Sequence, residues 1–279
     1  MDGKTNYQEG SPKISRLFVS YGILVIASLF LMIPVFLLLI SSLKTGDEFR
    51  SFDFKLFPAV PQWRNYIGLF RYSDFMEIAV RTGMLSIVFA GITTISSSLT
   101  GYAFARYQVP GSKGLFLVVV SMLIIPVIAT IIPQYILYAR FGMINTYWPW
   151  ILSALAGTPL YIFLFRQFFM GFPRDLEEAA EVDGCGPLRL YSAIFLPNAK
   201  PAIATVMIFA FMSVWGDYFT PLIFLNPDKT LLGVALANYF GRSTGVLAAT
   251  VLYIIPVVII FFYAQKYILE GVVTTGLKG

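Results

Sequence analysis

The sequence predicts an all-α membrane protein with six transmembrane helices, and three observations carry that expectation. First, 57% of the 279 residues are hydrophobic and 13% are charged, with a mean hydropathy of +0.75. A soluble domain is about half apolar and about a quarter charged. Second, charge disappears from six stretches whose lengths approach the roughly 20 residues needed to cross about 30 Å of hydrocarbon. Third, the one long charge-dense segment, residues 172–201, stands between two of those stretches. The single cysteine, Cys185, leaves no disulfide within the chain, and the sequence has no histidine, the commonest metal ligand and general base. The net charge of +5 is spread along the chain without basic runs interleaved with aromatics. It reads as flanking charge on membrane spans, not as a nucleic-acid surface.

Taken in order, residues 1–16 form a polar N-terminal tail. Its Gly3-Lys4-Thr5 matches only the end of a phosphate-binding loop, with no strand before it, so this chain is not expected to bind or hydrolyse ATP. The spans are expected at Leu17–Leu43, Thr82–Ala105, Gly114–Ala139, Phe141–Phe165, Pro201–Gly216 with the apolar run resuming after Asp217, and Ser243–Gln265. The first is too long for a signal peptide and lacks a small-residue cleavage site before Lys44. Lys44–Arg81, carrying Trp63, Tyr66 and Tyr72, is long enough for a small external subdomain. Residues 17–269 thus make one membrane domain, and 270–279 a C-terminal tail. Lys and Arg divide almost evenly between the two sides, so charge alone leaves the orientation open.

Within the spans, Thr93, Thr94, Ser96, Ser97, Ser98, Thr100 and Gly101 give the second helix a surface of small and hydroxyl residues. That surface is read as helix packing, since small residues permit close approach and hydroxyls bond across helices. Pro126 and Pro133, seven apart, are expected on one face of the third span, and Pro159 and Pro256 interrupt two others. Asp217 is the acid embedded in apolar sequence, flanked by Trp215 and Tyr218. It reads equally as an interfacial anchor or, with Trp215 and Tyr218, as part of an outer gate. No span offers an ionisable group near its middle, which disfavours a proton- or ion-coupled carrier.

Residues 172–201 read as two short helices with a glycine joint. Pro173 can open the first helix, and Asp175, Glu177 and Glu178 suit the positive end of its dipole. Gly184 can end it in a left-handed cap, Pro187 can open the second helix, and Pro197 is expected to end that one. Helical spacing groups Leu176, Ala179, Ala180 and Asp183 on one shallow face that another protein could approach closely, with Glu177, Glu178 and Glu181 to the sides.

This segment resembles the EAA loop of ABC-importer permeases. The pattern is met by Glu178, Ala179, Ala180, Gly184, Ile194, Leu196 and Pro197 with every spacing intact. Asn145-Thr146-Tyr147, Trp215-Gly216-Asp217-Tyr218 and the ending GVVTTGLKG are similar to the carbohydrate, maltose-type branch. The resemblance implies a type I ABC-importer permease architecture in a bacterial inner membrane, with both termini cytoplasmic. It implies a heterodimer with a second permease, two ATPase subunits that bind ATP and Mg, and an extracytoplasmic solute-binding protein delivering sugar. The chain itself would carry no cofactor and catalyse no reaction. The loop would dock on an ATPase subunit, and Gly276, Leu277, Lys278 and Gly279 would reach between the ATPases. The sequence departs from the pattern at Gly216, where members often carry Asn, and in the short connection after Tyr239. The alternatives are an ABC permease for a glycerol phosphate or polyamine, and an ion-coupled secondary carrier.

Overall fold

The computed structural model describes residues 14–53, 55–72, 74–107, 109–182, 184–238 and 245–276. The tail at residues 1–13, the connection at 239–244 and the terminal Leu277–Gly279 therefore lie outside the described residues, as does Asp183. Among the described residues the secondary structure is helical throughout, without strands. Helix α1 (Ile14–Ser42) is apolar on all sides and almost wholly exposed, touching the rest of the chain mainly at the last helix. An all-round apolar helix needs lipid or another protein around it. Two short helices, α2 (Gly46–Arg50) and α3 (Arg64–Tyr72), make the expected subdomain before the second span. Thr45 and Glu48 form a capping box at the start of α2. The Glu48 carboxylate also accepts from the Ala59 N–H, and these backbone donors, Thr45 first, hold its acid below the usual range.

The second span, α4 (Phe75–Arg106), is a single helix of 32 residues around which the bundle is packed. The third is broken. Helix α5 (Ser112–Ser121), a short 3₁₀ turn, and α6 (Val127–Arg140) meet at a bend of 103°. Pro126 sits at that bend and Pro133 inside α6, so the two prolines do not share one straight face as expected. The fourth span is α7 (Trp148–Ala156) and α8 (Pro159–Met170), with Pro159 at the first helical position, where its missing donor costs nothing. It lies several residues later than the charge-free stretch suggested, because Phe141–Tyr147 is spent on a turn in which Asn145 adopts φ 58°.

The acidic segment follows, and the fifth span enters from it through a bend of 81° into α12 (Lys200–Trp215). Short helices α13 (Phe219–Phe224) and α14 (Leu232–Asn238) precede the long α15 (Gly245–Gly276). Pro256 lies inside α15 without breaking it, and the helix runs on to Gly276, into the residues expected to form the tail from residue 270 onward. Among the described residues, four helical stretches are thus long and apolar enough to cross a membrane alone, and counting each bent pair as one span brings the number to six.

The packing of α4 explains its small residues. Thr93, Ser97, Ser98 and Thr82 are fully buried. The Ser96 hydroxyl donates to Ala154 O at 2.6 Å, and the Ser97 oxygen accepts from Thr158 N at 3.1 Å. These bonds satisfy backbone groups freed where α7 gives way to α8, which the apolar phase could not do. Thr82 likewise accepts from Leu232 N at 2.9 Å, filling an open donor at the start of α14. At Gly101 the helices touch: a Cβ there would lie 2.7 Å from Phe165 Cβ and 3.0 Å from Arg166 N. We therefore expect Gly101→Val to cost about 1–3 kcal/mol by overpacking. Gly91→Ala, whose Cβ would meet nothing within 4 Å, should be neutral. Thermal melting of the detergent-solubilised protein separates the two; equal melting temperatures would contradict the close contact.

Candidate functional site

The segment predicted to couple the chain to a partner is built on the ends of α4 and α8. Helix α9 (Asp175–Val182) begins two residues after Pro173, with Glu177 N and Glu178 N donating to Arg174 O at 2.8 and 3.1 Å. Its C-terminus closes as expected. Gly184 has φ 73°, in the left-handed region, and Cys185 N reaches back to Ala180 O at 2.9 Å. That pairing is a Schellman closure, for which glycine avoids the Cβ penalty.

The second helix is more complex than predicted. It comprises α10 (Pro187–Leu190), a π turn at Tyr191–Phe195, and α11 (Leu196–Asn198). Pro187 opens it, but Pro197 does not end it. The π turn carries Leu196 N to Tyr191 O, and this widened register accommodates the proline ring inside the helix. Ile194 and Leu196 are half-buried against the core, while Pro197 is exposed.

The expected grouping of Leu176, Ala179, Ala180 and Asp183 on one outward face is corrected by the structure. Ala180 is 5% exposed and belongs to the chain's own core, whereas Ala179 is exposed. The Leu176 side chain and Asp183 lie outside what the structure describes. The free face carries Asp175, Glu178, Ala179 and Val182, at helical spacing, and Val182 is 88% exposed. The inward face is Glu177 and Ala180, three apart.

Glu177 faces inward because it meets Arg106, the last residue of α4. Arg106 Nε lies 2.9 Å from Glu177 Oε1, an ion pair set off the line of the N–H bond. The guanidinium also donates to Phe169 O at 2.8 Å and Phe172 O at 2.9 Å. It stands 4.8 Å from the centre of the Phe195 ring, a cation–π contact. Around it, Tyr102, Phe169, Phe172, Tyr191 and Phe195 pack with ring centres 5.0–6.3 Å apart, and Tyr191 shares a hydrogen bond of 2.6 Å with Ser98 of α4. Sequence reading placed Glu177 to the side of its helix and took the chain's basic residues only collectively, as flanking charge on the spans. No local pattern joins two residues so far apart in the chain, although a lone arginine ending a span was a usable signal.

The other predicted site residues lie away from this loop, at the opposite end of α12. Trp215 is 5% exposed and stacked between Phe211 and Tyr253, with ring centres 5.6 Å apart on each side. It is a packing residue in this structure and not a free gate surface. Asp217 is half-buried and accepts from Thr220 N at 3.1 Å, closing the start of α13; Tyr218 packs on Phe219. Gly276 ends α15, and its predicted companions Leu277, Lys278 and Gly279 lie outside the described residues. No group of three or more metal-ligating side chains occurs among the described residues.

The architecture and the loop define a polytopic helical membrane subunit that carries a short, exposed acidic helix beside the ends of two spans. Residues 97–273 match the family model of the binding-protein-dependent transport system inner membrane component, and the chain belongs to that family of ABC-importer permeases. It is a transport component, not an enzyme. Among its relatives is the melibiose/raffinose/stachyose import permease protein MelC of Bacillus subtilis (strain 168), 31% identical over 254 residues, covering 88% of this chain and 91% of MelC. The arabinooligosaccharides transport system permease protein AraQ of the same organism is 30% identical over 260 residues, covering 90% and 92%. The fold matches a bacterial ABC transporter involved in the import of alginate with a TM-score of 0.78, at 21% identity, over 92% of this chain and 99% of that one.

The cap yields a direct expectation. A Cβ at Gly184 meets no atom within 4 Å, so any cost of substitution there comes from the backbone. Gly184→Val should destabilise the loop by about 1–2 kcal/mol. Gly184→Asn, which tolerates the left-handed region, should cost less. Hydrogen exchange at the amides of α9 measures this, and equal protection in both variants would show that the cap conformation does not matter.

Proposed function

We propose that this chain forms one half of the translocation pathway of an ATP-driven importer for an oligosaccharide. The observation that carries the proposal is the free face of α9. An exposed helix face bearing Asp175, Glu178, Ala179 and Val182 is held rigidly against the ends of α4 and α8, at the position of the EAA pattern. On this reading Glu178, Ala179 and Gly184 serve docking on an ATPase subunit. Ala180, Ile194 and Leu196 shape the loop from within, Pro197 shapes it from the exposed side, and the tail residues Leu277–Gly279 reach the ATPase interface. The partners are a second permease, two ATPase subunits that bind ATP and Mg, and an extracytoplasmic binding protein. Closure of the ATPases on ATP moves the loops, and the spans reorient between outward- and inward-facing states. The substrate class is supported by the relatives, whose names specify melibiose, raffinose and stachyose in one case and arabinooligosaccharides in the other. An apolar cleft between α4, α12 and α15, lined by Ile87, Met207, Phe211 and Tyr263 among others, faces outward from the single chain and suits a lipid or partner-helix contact better than sugar hydroxyls.

The loop and both termini are cytoplasmic on this reading. With Cys185→Ser as background, an impermeant thiol reagent added to intact cells should label Trp63→Cys and spare Val182→Cys; the reverse pattern would invert the topology.

The two alanines should separate. Ala179→Asp places charge on the docking face and should abolish both ATPase co-purification and uptake of labelled oligosaccharide, leaving the isolated permease as stable as before. Ala180→Asp buries an unpaired acid in the chain's own core and should destabilise the permease itself by several kcal/mol. Retained ATPase binding and uptake in Ala179→Asp would overturn the docking role, and uptake of spermidine or glycerol phosphate in preference to oligosaccharide would overturn the substrate class.

A further inference from the structure

We propose that Arg106 is a positioning residue that turns α4 into the lever of the coupling loop, carrying displacement of α9 to the opposite face of the bundle through its ion pair with Glu177. The inference rests on the docking role of α9 proposed above and concerns what happens after docking.

The geometry for it is in place at both ends of α4. At the loop end, one guanidinium holds Glu177 of α9, the carbonyls of Phe169 and Phe172 at the end of α8, and the Phe195 ring of the π turn. The side chain of Arg106 is only 9% exposed and that of Glu177 21%, so the pair is shielded from water. A planar fork with several fixed donors can hold these groups together, where a single ammonium could not. Between α8 and α9 the chain is only a short link from Gly171 to Arg174, which by itself would let α9 swing without moving any span. The ion pair removes that freedom.

At the far end of α4, one unbroken helix about 48 Å long at 1.5 Å per residue, the contacts are equally direct. Arg81 donates to Asp228 O at 2.8 Å and is paired with Glu77, and Thr82 accepts from Leu232 N. The connection between α13 and α14 is thereby tied to the same helix that Arg106 ends. The close crossing at Gly101 makes α8 move with it. A push on α9 therefore reaches residues 227–232 on the other side through one rigid element with bonded ends.

The test uses the assembled complex, with the second permease and ATPase subunits, in lipid nanodiscs. An environment-sensitive dye is placed on Asp228→Cys in the Cys185→Ser background, and its response to ATP is read. Glu177→Gln keeps the shape of the side chain and removes its charge; Arg106→Gln and Arg106→Lys remove the fork to different extents. ATPase co-purification should persist in all three. The ATP-dependent dye response should fall about fivefold or more in either Gln variant, the scale of an ordinary coupling free energy. It should be intermediate in Arg106→Lys, and the Glu177→Gln/Arg106→Gln double variant should be no worse than the worse single. Full dye responses in both Gln variants, or losses that multiply in the double variant, would overturn the lever. A complex with the unaltered loop that fails to retain the ATPase would instead sink the docking reading, whatever the pair does.

Discussion

A single guanidinium fixes where the acidic helix stands. Helix α8 ends in carbonyls with no intrahelical donor, and in an apolar setting such groups must find partners within the protein. From a different helix, Arg106 donates to Phe169 O, which also accepts from Phe172 N at 3.2 Å, and to Phe172 O, two residues past the helix end. A buried cation in turn requires a counter-charge, since an unpaired one costs several kcal/mol. Glu177 provides it and so determines which way α9 faces. With Glu177 and Ala180 turned inward, the helical period leaves Asp175, Glu178, Ala179 and Val182 facing outward. The exposed face, which we propose docks the ATPase, thus follows from where Arg106 finds its counter-charge.

The same need for internal satisfaction organises the rest of the bundle. Each place where one helix gives way to the next frees backbone groups. The hydroxyls of α4 take up several of them, at Ala154, Thr158 and Leu232, while Gly101 lets the helix approach α8 closely enough for those short side chains to reach. Small polar residues that look unspecific along the sequence are therefore assigned one by one to partners. The aromatic knot from Tyr102 to Phe195 then fills the space around the ion pair and shields it from water.

Much of this was legible in the sequence, because membrane composition and helical spacing act locally. The helical class, the packing role of α4's small residues, the glycine cap and the proline at the start of the second loop helix all follow from local rules. The misreadings have physical causes. The split of Ala179 from Ala180 depends on Glu177 finding Arg106, a contact across the fold that no spacing rule encodes. Pro197 was read as a helix end because a π turn, which absorbs its ring, has no simple sequence signature. The stacking of Trp215, one of the outer-gate candidates, on Tyr253 was also hidden, because Tyr253 lies on another helix. The 103° bend at Pro126 was hidden because a charge-free stretch records apolarity and not straightness.

The central claim is that the outward face of α9 is the surface through which the chain meets an ATPase. The most direct measurement places a photo-activatable cross-linking amino acid at Val182, 88% exposed on that face, in the complete complex within native membranes, with Trp63 in the subdomain between the first two spans as the control. The account predicts that irradiation joins the Val182 variant to an ATPase subunit and leaves the Trp63 variant unjoined to it. Cross-linking of the ATPase from Trp63, or its absence from Val182 in a complex that still hydrolyses ATP, would contradict the account.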